Sequence, residues 1–155
     1  MPRVGLGFDV HAFSDDPGRR LVLGGVPFGG PGLSGHSDAD AVVHAIADAL
    51  LGAAGLGDMG SHFPDTDLAL AGADSMGLLA RVVAEVNGRY EIGNVDATVV
   101  LEAPRLAPRR PEMDRRLAEV VGAPVSVKAT RPEMLGALGR GEGIACLAVA
   151  VVVPR

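Results

Sequence analysis

The sequence predicts an α/β fold, built as an α+β two-layer sandwich: a mixed β-sheet with its helices on one face. Three observations predict it. Apolar runs at 3–10, 92–101, 125–130 and 144–153 are β-rich or alternating and have strand length. Helical periodicity at 38–54, 75–86 and 111–121 separates them. The two kinds of segment interleave with no internal repeat and no linker, so residues 1–155 read as a single domain. Hydrophobic residues are 48% of the chain, enough to fill a core and too many for a disordered segment.

The first strand spans residues 3–10, with Gly5 and Gly7 keeping one of its faces slim. Asp15-Asp16-Pro17-Gly18 is a turn signal. Short strands at 21–23 and 26–28 flank Gly24-Gly25. Residues 29–35, rich in Gly and Pro, form a loop. In the 38–54 helix, Val42, Val43, Ile46, Ala47, Leu50 and Leu51 recur at helical spacing. Ser37 is its natural N-cap, with Asp38 and Asp40 in the first turn, where the helix dipole favours acids. Residues 55–67 read as a long polar loop. Ser75 caps the next helix, and Asn87-Gly88 stops it. The 111–121 helix has Pro at its start and Gly122 after its end. Residues 132–138 have room for one helical turn. The 144–153 run reads as a strand buried on both faces. A sheet covered on one side only leaves an apolar face bare, so self-association through the sheet is expected.

The charge of −5 and an aromatic content of 3% argue against a nucleic-acid surface and against base stacking. Lys128 is the only lysine, and Arg, the better fork for phosphate, supplies the other cations. Cys146 is the only cysteine and sits in an apolar run, so it reads as a buried, inert thiol. The opening residues do not resemble a signal or transit segment, and the longest apolar run is about half of a bilayer span. A soluble, cytoplasmic protein with no membrane partner is the expectation.

The chemistry begins at Asp9-Val10-His11. Strand alternation puts Asp9 and His11 on one face. Asp40, His44 and Asp48 stack on one face of the first helix. Asp9, His11 and His44 would make a two-His, one-carboxylate set. Three protein ligands with an open fourth position is the pattern of a catalytic zinc, and other divalent transition metals accept similar ligands. Asp40 or Asp48 is placed to orient a ligating histidine. Alone, the D-x-H pair reads more readily as a surface feature; combined with the Asp-His-Asp stripe, the metal reading moves ahead.

Gly35-His36-Ser37 precedes that helix, and backbone N–H groups at a helix start bind phosphate, with His36 and Ser37 as added donors. Asp58, Asp65 and Asp67 lie on a Gly-rich loop and can accept hydrogen bonds from a polyol, or simply be solvated; His62 reads as surface. Thr130 and Arg131, at a strand end, can donate to phosphate. Glu133 can hold a hard ion such as Mg²⁺ that the phosphates share. Arg140 and Glu142, between glycines, read equally as a plain turn. A chain of net −5 should repel a diphosphate, and bound metal ions remove that objection.

Together these segments resemble the 2-C-methyl-D-erythritol 2,4-cyclodiphosphate synthase family of the non-mevalonate isoprenoid pathway. The resemblance rests on G-F-D-V-H-A-F at 7–13, the run from G-H-S-D-A-D to A-D-A-L-L-G-A-A at 35–54, G-D-M-G at 57–60 and F-P-D-T-D at 63–67. It continues through G-A-D-S at 72–75, G-N-V-D at 93–96, V-K-A-T at 127–130 and G-R-G-E-G-I-A at 139–145. It implies a homotrimer with sheets packed about a threefold axis and active sites between neighbouring subunits.

By the resemblance, Asp9, His11 and His44 hold Zn²⁺ or another divalent transition metal, and Glu133 holds Mg²⁺ or Mn²⁺ with the substrate phosphates. His36, Thr130, Arg131 and Glu133 occupy catalytic positions. Ser37, Asp48, Asp58, Met59, Gly60, Phe63, Asp65 and Asp67 surround the phosphates and the methylerythritol. Leu101, Ala103, Pro104, Arg105, Leu106, Ala107, Ala129 and Thr130 form the neighbouring subunit's cytidine pocket. Phe8 and Arg140 line an axial cavity open to isoprenoid diphosphates. The implied reaction turns 4-diphosphocytidyl-2-C-methyl-D-erythritol 2-phosphate into the 2,4-cyclodiphosphate and CMP, and association with a cytidylyltransferase is compatible with it.

The chain departs from the family at 129–137, where A-T-R-P-E-M-L-G-A replaces the usual A-T-T-T-E-K-L-G-F. Arg131 and Pro132 stand in for threonines, Ala137 and Leu147 alter the axial cavity, and Ala39 replaces a usual Gly. A metal-dependent phosphohydrolase, or a non-catalytic trimer that binds isoprenoid diphosphates, would draw on the same residues.

Overall fold

A computed structural model describes residues 1–155. The strands are β1 (Arg3–Ala12), β2 (Leu21–Leu23), β3 (Val26–Phe28), β4 (Tyr90–Val100), β5 (Val125–Thr130) and β6 (Gly143–Pro154). The helices are α1 (Ala41–Ala54), α2 (Met59–His62), α3 (Ser75–Asn87), α4 (Arg110–Val121) and α5 (Gly136–Gly139), with a 3₁₀ turn at Leu68–Leu70. β2 and β3 pair as a separate hairpin, and the main sheet has the order β1-β6-β4-β5. β6 runs antiparallel to β1 and β4, and β5 runs parallel to β4. So β1, β4 and β5 point the same way, and their C-terminal ends share one end of the sheet, with β1 and β5 at its opposite edges.

The sheet is mixed, as the sequence pattern predicts, and α1 packs across β1 and β6. What sets this contact is the absence of side chains at Gly5 and Gly7. A Cβ at Gly7 would overlap the carbonyl oxygen of Ala45, and one at Gly5 that of Ala49. Strand and helix backbones therefore touch. α1 is buried around almost its whole circumference; only His44, Asp48 and Gly52 keep any exposure, in one line along the helix.

Several local expectations are corrected. α1 starts at Ala41, and its N-cap is Asp40 instead of Ser37. Ala39 takes φ 57°, a left-handed turn that keeps residues 38–40 out of the helix. Asp40 does not orient a histidine. It is fully buried, and its carboxylate accepts from the N–H groups of Gly24 (2.9 Å), Gly25 (2.8 Å) and Val43 (3.1 Å), fastening the β2–β3 turn to the start of α1. Burial pushes its carboxyl up to about 6 against the pull of those three donors. The cap of α3 is Asp74, which frees Ser75 for another task. The polar loop 55–67 contains α2, capped by Asp58.

β6 is not buried on both faces: Leu147 and Val149 stay exposed, as do Val4, Leu6, Phe8 and Val10 of β1. Periodicity cannot distinguish a strand covered by a second helix layer from one whose far face is bare in the single chain. No helix is long and apolar enough to cross a membrane. Cys146 is buried, and burial pushes its thiol up to about 12.

The close approach makes a contrast that denaturation can read. Gly7→Ala lowers stability by about 1–3 kcal/mol or more, because backbone has to move. Gly77→Ala, on an exposed turn of α3 with open space around it, raises stability by roughly 0.5–1 kcal/mol. Urea unfolding of the two variants against the parent chain checks both signs.

Candidate active site and metal centre

The C-terminal half of β1 and the second turn of α1 bring three candidate ligands together. Asp9, His11 and His44 each offer an atom, and the three atoms lie within 4.8 Å of one another. Asp9 Oδ2 is 2.8 Å from His11 Nε2 and 3.2 Å from His44 Nδ1, and the two ring nitrogens are 3.4 Å apart. A tetrahedral ion with bonds of about 2.0–2.2 Å separates its ligand atoms by roughly 3.3–3.5 Å, so the set needs only slight widening to hold one. His11 Nδ1 lies 2.8 Å from the Ser34 carbonyl oxygen. That oxygen can only accept, so Nδ1 bears the proton and a neutral His11 presents Nε2 bare. The donor set therefore fits a divalent transition metal.

These side chains also shift the titration of Asp9 and His11. Burial works to raise the Asp9 carboxyl, but the close contacts and charge of His11 and His44 outweigh it, and the net shift is downward. Burial works to lower His11, but Asp9 outweighs it, and the net shift is upward. Both shifts favour an ion pair of Asp9 with a protonated His11 across their 2.8 Å contact.

The triad opens onto a cavity of about 530 Å³. His36, Ser37, Asp48, Met59, Gly60, Phe63 and Asp65 of the predicted set all line it, as do Gly35 and Pro64. Asp48 acts on the wall itself: its carboxylate accepts from the Met59 N–H at 2.7 Å and holds the loop over α1. Its carboxyl is pushed up, chiefly by burial. His36 Nε2 is bound to the Asp67 carbonyl at 2.8 Å. The Asp58 and Asp67 carboxylates do not line the cavity; they cap α2 and the 3₁₀ turn. Leu70 and Leu78, absent from the sequence-based set, close its apolar side.

A second, smaller cavity of about 160 Å³ lies at the end of β4 and β5. Leu101, Pro104, Arg105, Leu106, Ala107, Ala129, Thr130 and Arg131 line it, together with Glu102. Ala103, also predicted there, faces a neighbouring hollow instead. Arg131 is paired with Glu102 at 3.1 Å. The Met134 N–H first, and then Arg131, hold the Glu102 carboxyl below its usual range. Glu133 is exposed on the following loop, with φ 54°, and lies outside the Asp9–His11–His44 group. Phe8 is on the bare sheet face, opposite Leu147 in the register, and Arg140 is exposed and paired with Glu142 at 2.6 Å. One chain therefore carries two separate cavities at opposite edges of its sheet, roughly 14 Å apart over three strand spacings.

The model of the YgbB family matches residues 2–153. A bifunctional enzyme IspD/IspF of Anaeromyxobacter sp. is 53% identical over 97% of this chain, which spans 39% of that relative's length. A 2-C-methyl-D-erythritol 2,4-cyclodiphosphate synthase of Thiobacillus denitrificans is 53% identical over 97% of this chain and 96% of its own. The solved IspF of Plasmodium falciparum in complex with CDP is 31% identical, superimposes with a TM-score of 0.82, and is matched over 99% of this chain and 97% of its own.

The triad's titration sets a pH dependence. Because the His11 value is raised on folding, its contribution to stability is full below about 6.5 and fades as pH rises through the folded value. Because the Asp9 value is lowered, its contribution is present above its ordinary range and fades as pH falls through the folded value. A metal competes with the His11 proton, so its effect runs the other way. Calorimetry should show the metal-free chain melting lower at about pH 8 than at about pH 6, and a larger zinc-induced rise in melting temperature at about pH 8.

Proposed function

The chain belongs to the YgbB family, and on that footing we propose that it converts 4-diphosphocytidyl-2-C-methyl-D-erythritol 2-phosphate to the 2,4-cyclodiphosphate with release of CMP. The observation that carries this reading is the Asp9–His11–His44 group on a cavity bordered by Gly35, His36 and Ser37. A divalent metal held there, Zn²⁺ on this reading, supplies positive charge to neutralise the diphosphate.

The chain's own residues do the positioning. Gly35, His36 and Ser37 supply donors to phosphate oxygens. The Met59–Asp65 wall encloses the methylerythritol and is held by Asp48. The cavity at Leu101–Ala107 takes the cytidine, in keeping with the CDP complex of the Plasmodium relative. Glu133 is the carboxylate offered to Mg²⁺ or Mn²⁺ shared with the phosphates. The 2-phosphate attacks the β-phosphorus and CMP leaves, so the folded substrate must place nucleophile and leaving group in line. No protein nucleophile takes part.

The separation of the half-sites favours a homotrimer, in which the metal cavity of one copy meets the cytidine cavity of the next. The apolar face of β1 and β6 is then covered about the threefold axis, with Phe8 and Arg140 toward an axial cavity suited to an isoprenoid diphosphate. The bifunctional relatives join an IspD to an IspF partner in one chain, which supports association with a cytidylyltransferase. A cytoplasmic setting suits this chemistry.

Incubation with the diphosphocytidyl substrate, Zn²⁺ and Mg²⁺ should yield CMP and the cyclic product by mass, both lost on chelation. A linear phosphate product would instead identify a phosphohydrolase, and no turnover by a zinc-loaded trimer would leave a binding protein. Arg131→Ala lowers turnover by roughly 10²-fold if Arg131 replaces the threonine donor. Unchanged turnover would leave Arg131 as the partner of Glu102 alone.

A further inference from the structure

His44 differs from His11 in what holds its outer nitrogen. His11 leans on a main-chain carbonyl, whereas His44 Nε2 lies 2.8 Å from Ser75 Oγ and 3.3 Å from Ser37 Oγ. Ser75 is fully buried, at the first position of α3. Its hydroxyl bonds to Asp38 Oδ1, and its N–H donates to Asp38 Oδ2 at 3.1 Å. Asp38 is fastened in turn: its N–H donates to the Ala73 carbonyl at 3.0 Å, and its Oδ1 accepts from the Asp40 N–H at 3.2 Å.

The Asp38 carboxylate gives these bonds a preferred direction. An ionised carboxylate only accepts, so the Ser75 hydroxyl proton points to Asp38. Ser75 Oγ then has only lone pairs to offer, and at 2.8 Å it draws the ring proton to His44 Nε2 in competition with the Asp9 carboxylate, 3.2 Å from Nδ1. His44 Nδ1 is left bare, and it is the atom that faces Asp9 and His11.

We propose that Asp38 and Ser75 are positioning residues for the metal centre: the relay Asp38–Ser75–His44 fixes one imidazole tautomer and aims Nδ1 at the metal. The inference rests on the reading of Asp9, His11 and His44 as metal ligands. It also gives the 72–75 segment a purpose beyond capping. The Gly72 N–H donates to the His36 carbonyl at 2.8 Å, so the same strap ties the phosphate-facing loop to the histidine behind it.

The test uses the full chain and zinc alone. Zinc affinity is measured by chelator competition, and the His44 tautomer is read from its ring ¹⁵N shifts in metal-free protein at a pH where the ring is neutral. The native chain should bind zinc and show only the Nε2–H form. Ser75→Ala should weaken zinc about 10–100-fold, as loss of such outer partners does elsewhere, and should mix the tautomers. Ser75→Thr, which keeps the hydroxyl, should restore both. If Ser75→Ala does not fold, Asp38→Ala carries the test, because a Ser75 hydroxyl freed from Asp38 can turn to His44 and mix the tautomers as well. Zinc affinity within about two-fold of native, with a single tautomer, would overturn the relay. A native chain that binds no zinc would sink the metal reading instead, and the ¹⁵N shifts would still decide the relay.

Discussion

Everything at the candidate metal centre depends on how closely β1 lies on α1. Two side-chain-free positions, Gly5 and Gly7, let the strand rest on the carbonyls of Ala45 and Ala49. The next two residues on that face are Asp9 and His11, which arrive beside His44 one helical turn before Asp48. A strand held off by even one methyl layer would separate the ligands by more than a metal bond can bridge. The small residues are thus a condition of the chemistry as well as of packing.

The same sheet keeps the second cavity away from the first. β1 and β5 are its two edges, and both end at the same end of the sheet. The residues around Asp9, His11 and His44 gather at one edge, and those proposed for the cytidine gather at the other. An apolar face remains bare between them. Joining the edges of neighbouring copies resolves both features at once, which is why the proposed trimer and the proposed reaction support each other.

Much of this was legible in the sequence. The strands at 21–23, 26–28 and 125–130 have the boundaries that their turn residues and β-branched runs indicate. Asp9, His11 and His44 followed from two periodicities, two on a strand and four on a helix. What stayed hidden was the wiring behind them. Ser37, Asp38, Asp40, Asp74 and Ser75 are all good capping residues, and composition alone cannot say which one caps. The structure gives the caps to Asp40 and Asp74 and sends Ser75 to His44. Ala39 hides its left-handed turn because nothing about an alanine signals it; a non-Gly residue there costs about 1–2 kcal/mol. The loop after β5 has two such residues in succession, Glu133 and Met134, in the stretch where the chain departs from its family.

Subunit complementation is the most direct measurement of a site shared between copies. His44→Ala removes a residue of the metal half, and Glu133→Ala one of the phosphate-metal position on the other half. Each variant alone should be inactive in releasing CMP. Mixed trimers, isolated through a different tag on each variant, should regain turnover, because some interfaces then combine two intact halves. Mixed trimers as inactive as their parents would contradict a site built from two chains.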